Sequence, residues 1–258
     1  MKITTLSLAL ALIFSVFSTN STQAQKLKVM SYNIHHGADK TEKLTLDEMG
    51  AYIKKSGADL VGLQEVDSMC NRSGKVDQMK RLAEITGMHY TFVRHFAYDG
   101  GAYGLGILSK YPISNVKNHR LSLLPYDEKK PSLAFLVAEI ELQKMNVIFS
   151  TAHFGLNAPT RLAQSDEVLA LLKDSTLPAI FTGDLNATPE STEIGKLNAY
   201  FTETGPDSAL TFPVNKPVKK IDYIMVSKAH LKKVVAYQVD EILSSDHLPV
   251  VCEVKVRR

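Results

Sequence analysis

About ten short β-rich runs, mostly joined without intervening helices, limit the fold of this chain more than any other feature. Each run is enriched in β-branched or aromatic residues and ends near turn-forming residues, as strands do. The runs are Leu27–Asn33, Leu60–Val66, Tyr90–His95, Gly104–Ser109, Ser132–Leu142, Asn146–His153, Ala179–Leu185, Ile221–Ser227, Val234–Val239 and Val250–Val256. Roughly ten strands are too many for one small sheet. The pattern predicts a mixed α and β fold in which helices do not follow every strand.

Three stretches with helical spacing interrupt the strands, at Leu46–Lys55, Asp77–Thr86 and Arg161–Lys173. In the third, leucines recur at helical spacing behind a turn that contains Pro159. The chain has 258 residues, of which 45% are hydrophobic, so it can bury a sizeable core. No repeat, low-complexity tract or long Gly/Ser linker divides it. Residues 25–258 are therefore predicted to form one domain.

The first 24 residues have the order of a secretory signal peptide. Lys2 precedes an apolar run from Leu6 to Phe17, and a polar stretch then ends at Ala24. The alternative is an anchoring transmembrane helix, which needs about 20 apolar residues. This run is shorter and lacks a basic stop-transfer flank, so the sequence predicts a cleaved leader and a secreted or periplasmic protein.

The charge balance does not by itself indicate a nucleic-acid binder. The formal net charge is only +3, and removal of the leader would take Lys2 with it. The most basic stretches, Lys216–Lys220 and Lys228–Lys233, are short and are interpreted as solvated surface. Arg72 and Arg94, the latter next to His95, have side chains that match phosphate oxygens, but surface solvation explains them equally well.

The two cysteines, Cys70 and Cys252, are far apart in the sequence. Spacing does not decide whether they form a disulfide, although an exported chain has that option. Cys252 lies in an apolar strand, which favours a buried free thiol there.

Oxygen-bearing side chains end two of the predicted strands. Asn33 closes the first strand, and Glu65 lies at the end of the second. Oxygen donors suit a hard divalent cation, and Mg²⁺ needs few protein carboxylates because it keeps waters and substrate phosphate oxygens as its other ligands. Asn33 and Glu65 are thus a candidate pair of metal ligands. For Glu65 taken alone, the alternative is a solvated carboxylate at the end of a strand.

Asp184 and Asn186 follow an apolar strand, and Gly183 before them permits a close backbone approach. Residues two apart in an extended segment point to the same side. A carboxylate that positions or deprotonates water, beside an amide that donates to a phosphate oxygen, suits hydrolytic attack on phosphorus. The alternative is an Asx-rich turn before Pro189.

Two histidines and two further carboxylates complete the set of candidates. Asp246 and His247 adjoin each other before the last strand, and a nearby carboxylate would stabilise a histidine cation at that position. His153 ends another strand, where a structural role is the alternative. Asp222 enters an apolar strand, so if buried it needs a partner such as a histidine.

In this order, the candidates resemble the site of the endonuclease/exonuclease/phosphatase superfamily, which has the deoxyribonuclease I-like fold. The resemblance extends over nearly the whole chain after the leader, and every expected polar position is filled. The motifs that carry it are Met30–Ile34, Leu63–Val66, Gly104–Ser109, Thr151–His153, Gly183–Asn186, Ile221–Tyr223 and Ser245–Pro249.

The resemblance implies an α+β fold, a four-layer sandwich in which two mixed β-sheets pack face to face with helices outside and the site at its mouth. It also implies a Mg²⁺-dependent phosphoesterase, with Mn²⁺ as a substitute ion, in which water attacks a phosphodiester or phosphomonoester in line. The implied metal residues are Asn33, Glu65 and Asp246. The implied catalytic residues are His153, Asp184, Asn186, Asp222 and His247.

The resemblance also implies individual roles for these residues. Glu65 is the principal metal ligand, and Asp184 and Asn186 act on the attacking water and on the phosphate. His247 stabilises the transition-state oxyanion, and His153 is the second histidine, with Asp222 as its supporting carboxylate.

Position 153 separates branches of the superfamily. Abasic-site endonucleases typically have Tyr there, whereas secreted deoxyribonucleases, sphingomyelinase-like phospholipases and inositol-phosphate phosphatases have His. His153 therefore disfavours abasic-site repair. The leading hypothesis is a hydrolase of small or lipid-derived phosphate esters, and the protein is predicted to be a monomer. An extracellular deoxyribonuclease-like endonuclease is the alternative, and a catalytically silent binding module is a third hypothesis. The loop from Tyr98 to Gly104 is interpreted either as lining the substrate mouth or as a plain hairpin.

Overall fold

The computed structural model of the protein describes residues 24–126 and 132–258. The predicted leader, residues 1–24, lies outside the described residues except for its last one, and it stays a prediction. Within the described ranges, no helix has both the length and the apolar character needed to span a membrane.

Twelve strands and four α-helices make up the described part of the chain. The strands are β1 Gln25–Asn33, β2 Leu60–Ser68, β3 His89–Tyr98, β4 Gly101–Ser109, β5 Ile113–Ser122, β6 Ser132–Glu141, β7 Asn146–His153, β8 Ala179–Asp184, β9 Phe201–Glu203, β10 Asp222–Ser227, β11 Leu231–Val239 and β12 Val250–Val256. The helices are α1 Leu46–Ser56, α2 Gln78–Thr86, α3 Ala158–Leu172 and α4 Thr192–Tyr200. A short 3-10 turn, His35–Gly37, follows β1.

The strands form two six-stranded sheets of mixed direction. Sheet one has the order β11-β12-β1-β2-β4-β3, and sheet two has the order β5-β6-β7-β8-β10-β9. In each sheet one central pair is parallel, β1 with β2 and β7 with β8, and the other pairs are antiparallel. Because the carboxyl ends of parallel strands lie at one edge, the polar residues that end them are brought together.

Three apolar clusters hold the sheets and helices in four layers. One cluster fills the space between the sheets, with Leu27 and Leu105 from sheet one and Phe149 from sheet two. A second packs sheet two against α3 and α4, and a third packs sheet one against α1 and α2. The implied fold, two packed mixed sheets with helices outside, is therefore confirmed.

The two sheets come very close together at Gly62 of β2. A Cβ at this position would lie 2.0 Å from Oγ1 of Thr182 and 3.0 Å from Oγ1 of Thr151. Nearby, Nε2 of Gln64 donates a hydrogen bond of 2.8 Å to Oγ1 of Thr151 across the interface. The absence of a side chain at Gly62 thus sets the spacing between the sheets beneath the polar strand ends.

The predicted strands and helices are present, with ends that differ by a few residues. β5, β9 and α4 were not predicted. In β5 one residue of ten is buried and five are exposed, so this strand lacks the apolar alternation by which strands are predicted. In α4, Ser191 caps the N-terminus, and only Ile194 and Leu197 supply buried apolar side chains, so its helical pattern is weak.

Both cysteines are buried free thiols in the structure. Cys70 and Cys252 therefore do not form a disulfide, and the interpretation of Cys252 as a buried thiol is confirmed. Burial is the main cause that raises the pKa of Cys252 to about 12.

Lys220 is buried, and the interpretation of its basic stretch as solvated surface is wrong at this position. Its side chain is only 1% exposed and forms an ion pair with Glu203, while Nζ also donates to the carbonyl oxygens of Gly205 and Pro206. Glu203 is 17 residues away in sequence, so the local charge pattern contains no sign of the pair.

Lys220→Met is expected to lower the free energy of unfolding by about 3 kcal/mol, because it leaves the carboxylate of Glu203, whose side chain is only 11% exposed, without its partner. The double variant Glu203→Met/Lys220→Met removes both charges and is expected to recover part of that loss. Urea denaturation of the two variants and the native protein measures this. Equal losses in both variants would contradict a cost due to the unpaired charge.

Candidate active site

Sheet one contributes Asn33 and Glu65. Asn33 ends β1 and is fully buried. Glu65 lies in a bulge of β2, where pairing with β4 shifts register between Leu63 and Val66, and its φ is 57°. Bulges re-aim side chains, and a positive φ is uncommon outside glycine. Here Oε1 of Glu65 accepts a hydrogen bond of 3.0 Å from Nδ2 of Asn33.

Sheet two contributes His153, Asp184 and Asp222 on three adjacent strands. The register pairs His153 of β7 with Asp184 of β8, and Asp184 with Asp222 of β10. Nδ2 of Asn33 donates a second hydrogen bond of 3.0 Å to Oδ2 of Asp184. Asn33 therefore links a carboxylate of sheet one to a carboxylate of sheet two.

His247 lies in the segment before β12 and is paired with Asp222. Nδ1 of His247 is 2.9 Å from Oδ2 of Asp222, which also accepts a hydrogen bond from Oγ1 of Thr211. The expectation that Asp222 supports His153 is therefore wrong. Nδ1 of His153 instead lies 3.5 Å from the hydroxyl of Tyr103. The segment before β12 folds over β10, and this long-range arrangement decides which histidine meets Asp222.

Asp184 lies between the two histidines. Its Oδ2 is 3.5 Å from Nε2 of His153 and 3.6 Å from Nε2 of His247. Its Oδ1 accepts a hydrogen bond of 3.0 Å from the backbone N–H of Asn186, whose φ is 49°. The side chain of Asn186 donates to the carbonyl oxygen of Phe154, which fixes its orientation.

The three carboxylates around His247 keep its ring protonated. Burial alone would lower the pKa of His247, but Asp222, Asp184 and Asp246 outweigh it and raise the pKa to about 10. An imidazolium has two N–H donors. With Nδ1 held by Asp222, the Nε2–H group is a donor in a buried, low-dielectric position, as oxyanion stabilisation requires.

A cavity of about 840 Å³ opens over these residues. Six of the predicted site residues line it: Glu65, His153, Asp184, Asn186, Asp246 and His247. Asn33 and Asp222 are fully buried and hold the lining residues from behind. All eight predicted residues are thus brought to one end of the sandwich.

The donor set fits a hard divalent cation. One ligand atom each of Glu65, His153 and Asp184 can lie within 4.8 Å of the others, and two of the three residues offer oxygen. Among the described residues, Asp246 is not part of this close group, although it lines the same cavity. Oδ1 of Asn33 accepts the backbone N–H of His35, so Asn33 orients the carboxylates through Nδ2.

Three contacting residues were not singled out from the sequence. Tyr103 faces His153, Thr211 binds Asp222, and the ring of Phe212 lies 4.7 Å from that of His247. Tyr103 belongs to the stretch Tyr98–Gly104, which was interpreted either as lining the substrate mouth or as a plain hairpin. In the structure Tyr103 lies in β4 and lines the cavity. Thr211 and Phe212 precede Asp222 in a segment without any local signal.

The comparisons with known proteins agree with this geometry. Residues 30–247 match the model of the Endonuclease/Exonuclease/phosphatase family. The uncharacterized protein YbhP of Escherichia coli K12 is 26% identical over 256 residues, which cover 91% of this chain and 98% of YbhP.

Solved structures show the same fold. An endonuclease/exonuclease/phosphatase family protein of Bacteroides thetaiotaomicron is similar with a TM-score of 0.71 and 20% identity, over 90% of this chain and 98% of that one. A mannosyl-6-phosphatase of the same organism is similar with a TM-score of 0.68 and 18% identity, over 88% of this chain and 99% of that one. Since the family match spans most of the sequence and both halves of the site, this chain belongs to the endonuclease/exonuclease/phosphatase family and is a metal-dependent hydrolase of phosphoester bonds.

Proposed function

We propose that the protein is an exported, Mg²⁺-dependent monomeric phosphoesterase that hydrolyses a small or lipid-derived phosphate ester by in-line attack of water. The observation that carries the proposal is the position of Asp184. Its Oδ2 lies within 3.6 Å of Nε2 of both His153 and His247 and accepts from Asn33, which also holds Glu65. A water-activating carboxylate, an imidazolium and a candidate metal ligand thus surround one cavity.

Glu65 is the principal ligand in this proposal, and Asp246, which lines the same cavity, is the second predicted metal residue. Asn33 was also predicted as a metal residue, but in the structure it orients Glu65 and Asp184 through Nδ2. Oxygen donors favour Mg²⁺, with Mn²⁺ as a substitute, over softer ions. When bound, the ion supplies positive charge that neutralises the charge developing on the phosphate oxygens.

Side chains of sheet two and of the segment before β12 transfer the protons and stabilise the negative charge that develops during hydrolysis. Asp184 accepts a hydrogen bond from the attacking water and takes up its proton. His247 donates Nε2–H to an oxygen of the pentacoordinate phosphorus, and Asp222 keeps the ring cationic and oriented. Asn186 contacts the phosphate. As the bond from phosphorus to the alcohol oxygen breaks, His153, which lines the cavity beside Asp184, donates the proton that the leaving oxygen takes up.

The cavity lining supports a small or lipid-derived substrate over a nucleic acid. Beyond the site residues, its wall includes Leu123, Leu133 and Leu156. Of the described residues, Arg161 and Lys219 are the lysine and arginine side chains in the lining. Arg161 is bound to Glu193 by an ion pair, which reduces its attraction for a polyanion. Nucleic-acid grooves present clustered Lys and Arg residues instead.

The test is hydrolysis of p-nitrophenyl phosphate and bis(p-nitrophenyl) phosphate, with Mg²⁺, with chelator, and with Glu65→Ala. We expect Mg²⁺-dependent release of p-nitrophenol that chelator and Glu65→Ala abolish. Cleavage of the monoester directs the search to sugar or inositol phosphates, and cleavage of the diester alone directs it to phospholipids and nucleic acids. Rapid degradation of DNA would replace the proposal by the nuclease alternative. No hydrolysis, at protein levels at which a relative is active, would favour a silent binding module.

Export is tested separately, by expressing the protein with its leader and determining its N-terminal sequence. We expect the protein to be found outside the cytoplasm, with a sequence that begins near Gln25. Intact Met1 on protein that stays in the membrane fraction would indicate an uncleaved anchor.

Asp222→Asn is expected to lower kcat about tenfold, because the imidazolium of His247 loses the carboxylate that stabilises its charge. A double-mutant cycle identifies the partner. Asp222→Asn should add little to the loss caused by His247→Ala, whereas it should add its full effect to His153→Ala. Kinetics of the five variants decide this, with the exposed Asp207→Asn as the matched control. Full additivity with His247→Ala would contradict the pairing.

A further inference from the structure

A second, smaller hollow lies beside the catalytic cavity. Its volume is about 260 Å³, and it is lined by Glu65, Arg72, Phe96, Tyr98 and Tyr103. Glu65, Phe96 and Tyr103 also line the larger cavity, so the two spaces share a wall. A molecule bound at the candidate metal ligand can therefore extend toward Arg72.

Arg72 is held in one orientation by a buried carboxylate. Nε and Nη2 each donate a hydrogen bond of 2.8 Å to the two oxygens of Asp67, whose side chain is 0% exposed. The guanidinium also lies over two rings, 4.6 Å from the centre of Tyr98 and 5.5 Å from that of Tyr103. Two hydrogen bonds and two ring contacts thus fix the side chain of Arg72, although arginine side chains are usually mobile. Little conformational entropy of Arg72 therefore remains to be lost when a ligand binds.

One edge of the guanidinium is available for a ligand. Asp67 occupies the edge formed by Nε and Nη2, and across the described ranges of the chain no hydrogen bond to Nη1 is found. The remaining edge, Nη1 with the second hydrogen of Nη2, is a fork that matches two oxygens of a phosphoryl or carboxylate group. The side chain of Arg72 is 29% exposed, so such a group can reach it.

Arg72 lines the smaller hollow but not the larger cavity over Asp184. The donors that surround Asp184 come from His153, His247 and Asn33, and Arg72 is not among them. The rings of Tyr98 and Tyr103 line the hollow on the way to Arg72 and offer apolar surface to the organic part of a substrate.

We propose that this hollow is a second oxyanion subsite, in which Arg72 binds a phosphoryl or carboxylate group of the substrate other than the phosphate that is hydrolysed. The inference rests on the proposed function and deepens it. It names the substrates as phosphate esters whose organic group carries a second oxyanion.

The test compares substrates that differ only in the second group. Linear diols of two to six carbons are used as monophosphates and as bisphosphates, and a parallel series carries a terminal carboxylate in place of the second phosphate. At the matching length, the native protein should show a kcat/KM about tenfold higher for the doubly anionic ester. The two series distinguish a phosphoryl from a carboxylate ligand.

Arg72→Met should reduce this preference to about one, and Arg72→Lys should keep only part of it, because an ammonium lacks the fork. Arg81→Met is the matched control, since Arg81 forms the same two-pronged pair with Asp47 on an exposed surface and should keep the native preference. Because Arg72→Met leaves Asp67 unpaired, the double variant Asp67→Asn/Arg72→Met is measured beside it. Tyr98→Leu, at a residue that is 39% exposed, removes only the stacking and should weaken the preference.

Two results would overturn the subsite: no preference for a second oxyanion at any length, or a preference that survives in folded Arg72 variants. Failure of the proposed function looks different, because then neither ester is hydrolysed. In that event calorimetric binding of the bisphosphate and the monophosphate, to the native protein and to the Arg72 variants with Mg²⁺ present, still decides whether Arg72 binds the second group.

Discussion

Asp184→Ala is expected to lower kcat for phosphate-ester hydrolysis by at least about 100-fold while the protein stays folded. The carboxylate is the meeting point of both sheets, since Oδ2 accepts from Asn33 and faces Nε2 of His153 and of His247. Its removal deprives the attacking water of its base and deprives the two rings of their shared acceptor. Steady-state kinetics with p-nitrophenyl esters measures the loss, and circular dichroism establishes the fold.

His247→Ala should cause a loss of the same order, because the imidazolium is the donor to the developing oxyanion. The matched control is Asp166→Ala, whose carboxylate forms an exposed ion pair with Lys196 on the outside of α3 and should retain native kinetics. An Asp184→Ala variant with more than half of the native kcat would remove Asp184 from the catalytic set.

Glu65→Gln is expected to weaken binding of the divalent cation by at least about tenfold and to lower activity at limiting Mg²⁺ by at least the same factor. The substitution keeps the size of the side chain and its contact with Asn33 but removes the negative charge. Calorimetric titration with Mn²⁺ measures the affinity independently of catalysis, and a Mg²⁺ titration of activity should show partial recovery at high ion concentration.

Glu84→Gln is the control for this experiment, because Glu84 is an exposed carboxylate of α2 away from the cavity. Unchanged cation affinity in Glu65→Gln would locate the metal elsewhere. The cluster of Asp184, Asp222 and His247 would then be the next to test.

Ten of the twelve described strands and the eight site residues were predictable from the sequence because both signals are local. Asn33, His153 and Asp184 end apolar strands, and a strand end is visible in a window of a few residues. The motifs occur along the chain in the order that is typical of the superfamily. This order supports the resemblance, and the resemblance implied the two packed sheets. Polar, exposed β5 carries no such signal and was missed.

Pairings between distant residues were not predictable in the same way. The partner of Asp222 depends on how the segment before β12 folds over sheet two, and the burial of Lys220 depends on Glu203. Arg72 was interpreted as a phosphate contact or a solvated side chain, yet its orientation is set by Asp67 and by the rings of two tyrosines. Each of these contacts is decided by tertiary packing, which residue type and spacing do not encode.

The pairing of β1 with β12 has a consequence for synthesis of the protein. Sheet two is built from one continuous stretch, β5 to β10, whereas sheet one joins β1 to β12, the first and last strands of the described residues. On the ribosome, synthesis of the strands with His153, Asp184 and Asp222 is complete before the segment with His247 emerges. The same holds for β12, the antiparallel partner of β1. A chain that terminates directly before Val250 leaves β1 without its antiparallel partner, so we expect such a truncated chain to lack hydrolytic activity although it contains all eight site residues.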